Sequence, residues 1–207
     1  IQVCIRCRSG DQSPCMLNSI NAWMRIQVAS SDLYKEVKEL VLSPDFPWHW
    51  HDKAYNDDEV TEGRTNFGFF SHVVLERPGY TYLTPKINSD HFPLFHDLFV
   101  EICRDNNIDP KVIYRINANL TTESHHNKYG PDHTDHDFPH KNMLIYLTGT
   151  HGGLTKVGNT NYSCMPNEAI VFEGVHAHME PTSGRRVVLV YTFLWLWLTN
   201  LLENVKR

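Results

Sequence analysis

Two stretches early in the chain carry apolar residues at helical spacing. From Asp32 onward, Leu33, Val37, Leu40 and Val41 recur every three or four positions, while Lys35, Glu36, Lys38 and Glu39 face away. This predicts an amphipathic helix capped by Ser30 or Ser31 and ending before Ser43-Pro44. A second helix is predicted from about His91 to Arg104: Phe95, Leu98, Phe99 and Ile102 form its apolar stripe, and Pro93 is tolerated in a first turn. Between the two, Phe69 to Leu75 reads as a strand, and Phe46, Trp48 and Trp50 form an aromatic cluster after Pro44. From residue 112 the period changes to two. Segments 112–120, 142–148, 154–157, 168–173 and 186–197 all read as strands. Turn-rich pieces such as Tyr129-Gly130-Pro131-Asp132 and Thr182-Ser183-Gly184 separate them. Helices first and strands later point to a mainly β (α+β) fold, a jelly-roll barrel braced by N-terminal helices.

Composition narrows the class. With 207 residues, 41% hydrophobic and 12% aromatic, the chain is long enough for one substantial core and short for two. The expected organisation is a poorly ordered segment 1–18 followed by a single domain over 19–207, with its β core at about 112–198. A formal charge of −5 offers no basic face, so no nucleic-acid surface is expected. The most apolar run, Val187 to Leu198, falls short of the ~20 residues of a spanning helix, and its Val, Tyr, Phe and Trp content favours a strand. No membrane partner is expected. Five scattered cysteines (Cys4, Cys7, Cys15, Cys103 and Cys164) do not make a disulfide framework and suit a reducing, cytoplasmic compartment. Cys4, Cys7 and Cys15 lack an evident fourth ligand for a zinc clip and read as loose thiols in the N-terminal segment.

The candidate chemistry lies in the histidines. Eight of thirteen fall between His125 and His178. His125 and His126 sit in a polar stretch with Asn127 and Lys128 and read as solvated, and His151 beside two glycines reads as a turn residue. His133 and Asp135 differ, because positions i and i+2 of a strand share a face, so that an imidazole and a carboxylate project together. A third ligand must then come from a distant strand, and His176-Ala177-His178 offers two. Two imidazoles and one carboxylate on one side of an ion leave its other positions open, an arrangement suited to Fe(II). Arg185 and Arg186 follow on the next strand, and alternation lets only one of them point inward.

Residues 112–193 resemble the double-stranded β-helix core of the Fe(II)/2-oxoglutarate-dependent oxygenases, in the prolyl-hydroxylase-like branch. The stretches that carry the resemblance are HTDHDFPHKNMLIYL (133–147), GGLTKV (152–157) and NEAIVFEGVHAHMEPTSGRRVVLVYTF (167–193). The N-terminal part, with its SPDFPW stretch, is similar in style to small oxygenase-like proteins of marine phages, which implies the host cytoplasm as its location. The resemblance implies Fe(II), 2-oxoglutarate and O₂ as cofactor and co-substrates, with ascorbate as an accessory reductant. It implies a dioxygenase that hydroxylates an unactivated C–H bond and releases succinate and CO₂. His133 and Asp135 would be iron ligands, Tyr146 would hydrogen-bond the remote carboxylate of 2-oxoglutarate, and Arg186 would pair with it. For the distal ligand, His176 has the family's spacing to the basic residue, whereas His178 better matches the distance from Phe172-Glu173-Gly174; His176 is preferred and His178 is the alternative. His136 and His140 fit no ligand role and suit structural hydrogen bonding or substrate contact. The resemblance leaves the substrate open among protein side chains, nucleobases and small molecules. Residues 47–66 and 121–132 are expected as lids.

Three rival readings compete. A zinc hydrolase of metallo-β-lactamase type is suggested by Asp132-His133-Thr134-Asp135-His136, but Pro131 stands where its first histidine belongs. A non-catalytic jelly-roll binding or virion module would have no use for ligand-type residues on two strands plus an inward Arg and Tyr. A cupin-like centre built on His176 and His178 would leave Asp135 and Arg186 without a role.

Overall fold

Helix α1 (Asp32–Leu42) begins where the Ser31 hydroxyl accepts a hydrogen bond from the Tyr34 amide, satisfying one of the free donors of the first turn. The computed structural model describes residues 24–28, 31–79, 84–163 and 165–195. The expected N-terminal segment 1–18 lies outside the described residues, as do Ser30, Cys4, Cys7, Cys15, Cys164 and the chain beyond Trp195. The buried stripe of α1 is Tyr34, Val37 and Val41, with Leu33 and Leu40 only partly covered. Tyr34 takes the central place because its hydroxyl meets buried backbone, donating to the Tyr146 carbonyl (3.4 Å) and accepting from the Asn167 amide (3.2 Å). Helix α2 (Phe92–Asp105) buries the expected Phe95, Leu98, Phe99 and Ile102, and Cys103 as well.

Both helices pack on one face of an eight-stranded antiparallel sheet. Its spatial order is β1 (Met24–Gln27), β10 (Glu168–Phe172), β6 (Lys141–Tyr146), β13 (Arg185–Trp195), β5 (Pro110–Thr122), β3 (Phe69–Glu76) and β2 (His49–His51), with β4 (Lys86–Ile87) also paired to β3. Opposite lie a three-stranded sheet, β11 (His176–His178), β8 (Thr155–Val157) and β9 (Thr160–Tyr162), and the pair β12 (Pro181–Ser183) with β7 (His151–Gly152). Two antiparallel sheets facing each other, with helices behind the larger one, make the expected mainly β jelly roll. Among the described residues no helix is long and apolar enough to cross a membrane.

Alternation along the strands divides the molecule into two interiors. Val187, Leu189, Tyr191 and Phe193 of β13 join Ile116, Ala118 and Leu120 of β5 and the helices in the main core. Phe99 stacks on Tyr191 there (4.9 Å, 20°), and the Tyr191 hydroxyl donates to the Phe95 carbonyl (3.0 Å). The intervening residues point between the sheets. On that side Leu144, Tyr146, Ile170, Phe172, Val188 and Val190 form a smaller apolar cluster. The next strand over is polar. Arg115, Asn117, Asn119 and Thr121 of β5 stand in register with Thr192, Val190, Val188 and Arg186 of β13. The cavity thus has an apolar wall and a hydrogen-bonding wall.

Two expectations need correction. The His133-Thr134-Asp135 segment is not a strand; it is irregular chain held by one β-bridge, in which His133 and His176 exchange both backbone hydrogen bonds at 2.9 Å. Prolines at 131 and 139 frame the segment, and each removes a donor that a ladder would need. Trp50 also leaves the aromatic cluster. Phe46 and Trp48 pack edge to face at 4.9 Å, but alternation in β2 turns Trp50 outward onto Phe70 (4.9 Å), and it stays 53% exposed.

Candidate metal centre

Between the two sheets lies a cavity of about 770 Å³ bordered by His133, Asp135, His176, His178 and Arg186. The bridge between residues 133 and 176 brings two imidazoles together across forty-three positions of chain, with ring centroids 4.3 Å apart. Each ring is oriented by its own backbone. The Nδ1–H of His133 donates to the Pro131 carbonyl (3.1 Å), and that of His176 to the Gly174 carbonyl (3.3 Å). With Nδ1 carrying the proton, Nε2 of each ring is the lone-pair nitrogen, the tautomer a metal ligand needs.

Asp135 adds a carboxylate beside His176. Its Oδ2 lies 3.6 Å from His176 Nε2, within the ~4.2 Å that two ligands on one ion can span when each bond is ~2.1 Å. Its Oδ1 accepts from Arg115 Nη1 (3.0 Å), and its backbone carbonyl accepts from Arg77 (3.0 Å). Burial acts to raise the Asp135 carboxyl, but Arg115, His176 and His133 outweigh it and hold the pKa below the usual carboxylate value, so the group is ionised. Burial lowers His176 to about 4, keeping it neutral despite the pull of Asp135.

His178 lies close by: its ligating nitrogen and those of His133 and His176 fall within 4.8 Å of one another. Its hydrogen bonds differ, however. His178 Nδ1 meets Arg186 Nη2 (3.3 Å) and the Thr155 hydroxyl (3.2 Å). A guanidinium only donates, so Nδ1 is the acceptor and a neutral His178 carries its proton on Nε2. Burial, then Arg186, hold its pKa well below the ordinary histidine value. Thr155 Oγ1 also accepts from the Tyr146 hydroxyl (3.1 Å) and Arg186 Nη2 (3.2 Å), and the guanidinium lies 5.9 Å from the Tyr146 ring centroid. Arg186 is 4% exposed; Arg185, one position away, faces solvent, as alternation requires.

The structure groups His133, His176 and His178, sets Asp135 beside His176, and joins Arg186 and Tyr146 to this group through Thr155 and His178. Sequence reasoning missed Arg115, Thr155 and Tyr55. Arg115 had a signal, since it shares the inward parity of Asn117, Asn119 and Thr121 on β5. Thr155 and Tyr55 had none, because only tertiary contacts aim them here. The 47–66 stretch does border the cavity, through residues such as Lys53, Tyr55 and Glu59, whereas of 121–132 only Thr121 does. His136 and His140 make structural hydrogen bonds, to the Thr192 hydroxyl (2.7 Å) and the Phe138 carbonyl (2.8 Å). His125 and His126 are exposed, and His151 lies in β7 rather than in a turn.

No protein-family model and no curated protein matches the sequence. Solved structures do match the fold. An oxidoreductase of the 2OG-Fe(II) oxygenase family from Burkholderia pseudomallei aligns over 91% of this chain and 93% of its own, with 14% identity and a TM-score of 0.56. A prolyl hydroxylase from Trichoplax adhaerens, solved with a hypoxia inducible factor oxygen degradation domain peptide fragment, aligns over 84% of each chain (14%, TM-score 0.52). A prolyl-4-hydroxylase from Pseudomonas putida aligns over 84% of this chain and 93% of its own (14%, TM-score 0.50). The chain has the double-stranded β-helix fold of the 2OG-Fe(II) oxygenases. Within that class the likeness extends to prolyl hydroxylases, and it is a likeness of fold.

Proposed function

We propose that the chain is an Fe(II)- and 2-oxoglutarate-dependent dioxygenase that hydroxylates an unactivated C–H bond and releases succinate and CO₂. One observation carries this reading: two imidazoles with backbone-fixed Nδ1–H groups and an ionised carboxylate converge in a cavity that also holds a buried arginine packed on a tyrosine. The donor set fits the metal, because two neutral nitrogens and one carboxylate oxygen suit Fe(II) and leave open positions. His133, Asp135 and His176 would hold it, and when bound with the oxo acid the iron supplies O₂ activation coupled to oxidative decarboxylation.

The remaining chemistry belongs to the protein. Arg186 binds the far carboxylate as a charge-assisted pair, with Tyr146 and Thr155 fixing the guanidinium. His178 accepts from the same Nη2 that donates to Thr155 and so shares in holding the guanidinium. Arg115 and the Gly174 carbonyl orient Asp135 and His176. Leu144 and Val190 make the apolar wall that limits water near the reacting carbon. The test is anaerobic titration with Fe(II), then 2-oxoglutarate and O₂, reading succinate. Tight zinc binding with hydrolytic activity and no succinate would discard the proposal.

A second reading is a three-histidine centre of His133, His176 and His178, favoured by ligating nitrogens that all lie within 4.8 Å of one another. It requires His178 to surrender its bonds to Arg186 and Thr155. Metal stoichiometry of His178→Ala separates the two.

A further inference from the structure

The chain between β2 and β3 lines the cavity, and one side chain from it, Tyr55, reaches the His133 ring. Asn66 fixes this strap from within: its Oδ1 accepts from the amides of Ala54 (3.1 Å) and Tyr55 (3.2 Å), and its Nδ2 donates to the Tyr55 carbonyl (2.7 Å). Both backbone polar groups of Tyr55 are therefore held by a single side chain. The strap is also tied to the segment that carries His133. The Thr65 amide donates to the Tyr129 carbonyl (3.1 Å), Arg64 donates to the Gly130 carbonyl (3.2 Å), and Arg64 pairs with Asp132.

The Tyr55 ring is placed as closely as its backbone. It meets the His133 ring at 5.2 Å and 64°, and Phe67 at 5.8 Å and 89°. It lies against Gly130, where a Cβ would come within 2.5 Å of Cε2 and 2.9 Å of the hydroxyl oxygen. Only glycine at 130 leaves room for this ring. Tyr55 lines the cavity together with His133 and Arg186, Arg186 is close enough to act electrostatically on its phenol, and the hydroxyl makes no hydrogen bond among the described residues. A phenol clamped at backbone and ring on the cavity wall beside His133 is placed to meet a ligand there.

We propose that Tyr55 contacts the co-substrate directly, its hydroxyl donating a hydrogen bond to a 2-oxo acid seated between His133 and Arg186, with Asn66 and Gly130 as positioning residues. This rests on the dioxygenase reading above. The bond adds to the arginine anchor a second, neutral donor at the metal end, so the oxo acid is fixed at two points along its length.

The test uses the full chain loaded with Mn(II), which binds such sites without turnover, and measures binding of 2-oxoglutarate by calorimetry for the unaltered protein, Tyr55→Phe and Gly130→Ala. The expected result is a 2-oxoglutarate Kd about tenfold weaker in Tyr55→Phe, as befits one hydrogen bond to a charged group. Its Mn(II) affinity and melting temperature should be unchanged. Gly130→Ala, which displaces the ring, should weaken 2-oxoglutarate in the same direction. Equal 2-oxoglutarate affinity in the unaltered protein and both variants overturns the inference and leaves the dioxygenase reading standing. An unaltered protein that binds Mn(II) but no 2-oxoglutarate overturns both.

Discussion

Arg115 and Asp135 form a nearly buried ion pair, Nη1 to Oδ1 at 3.0 Å, that fixes one oxygen of the carboxylate and leaves the other 3.6 Å from His176 Nε2. Neither charge is stable there alone: burial works against the ionised form of both, and each offsets the other's loss of water. The pair therefore holds the Asp135 carboxylate in its charged state beside His176.

Replacing Arg115 with leucine should uncover this dependence. It strands the Asp135 charge in the metal-free protein, at a cost on the order of 3 kcal/mol. Thermal unfolding is expected to show the loss without metal and partial recovery with saturating Mn(II), which supplies the missing positive charge. Equal melting of the variant and the unaltered chain without metal would show that the pair is not coupled to stability.

Single alanine replacements of His133, Asp135 and His176 should each abolish Fe(II)-dependent succinate formation. His178→Ala should keep the metal and instead weaken 2-oxoglutarate binding, because Arg186 loses a partner that holds it. Metal content after dialysis is the readout. Loss of metal from His178→Ala together with retention in Asp135→Ala would favour the three-histidine centre.

Arg186→Ala removes a charge-assisted contact of ~1.5–3 kcal/mol, which corresponds to a roughly 10- to 150-fold higher 2-oxoglutarate requirement. The rate at saturation should change less. An unchanged requirement would move the anchor elsewhere on the cavity wall.

Acid should destabilise the metal-free protein over a defined window. Burial keeps His136 and His176 unprotonated down to about 4, whereas in the unfolded chain they take up protons near 6.5. A folded pKa below the unfolded one means that the unfolded state binds more protons between those values, so stability falls as pH drops from about 6.5 towards 4. Denaturant unfolding at pH 7.5, 6 and 5 measures this. A flat profile would mean that water reaches these rings.

Burial pushes the Cys103 thiol up to about 12, which leaves almost no thiolate at pH 8. Its peptide should resist alkylation in the folded protein and react on unfolding, as mass spectrometry would show.

The sequence by itself determined the two helices and the longer strands, and it named the residue types of the candidate site. Helix α2 was legible because Phe95, Leu98, Phe99 and Ile102 repeat at the backbone's own period, and β13 because its alternation is local too. His133, Asp135, Tyr146 and Arg186 were legible as residue types at suggestive spacing. Only the tertiary structure decided how they meet. Two prolines deny His133-Thr134-Asp135 a strand ladder, so a backbone bridge to His176 sets its place instead. The difference between His176 and His178 lies in whether a carbonyl or a guanidinium faces Nδ1, a partner drawn from distant chain. Tyr55 and Arg115 acquire their positions the same way. Periodicity records which face of an element is buried; what stands opposite that face is set by how the strands close on one another.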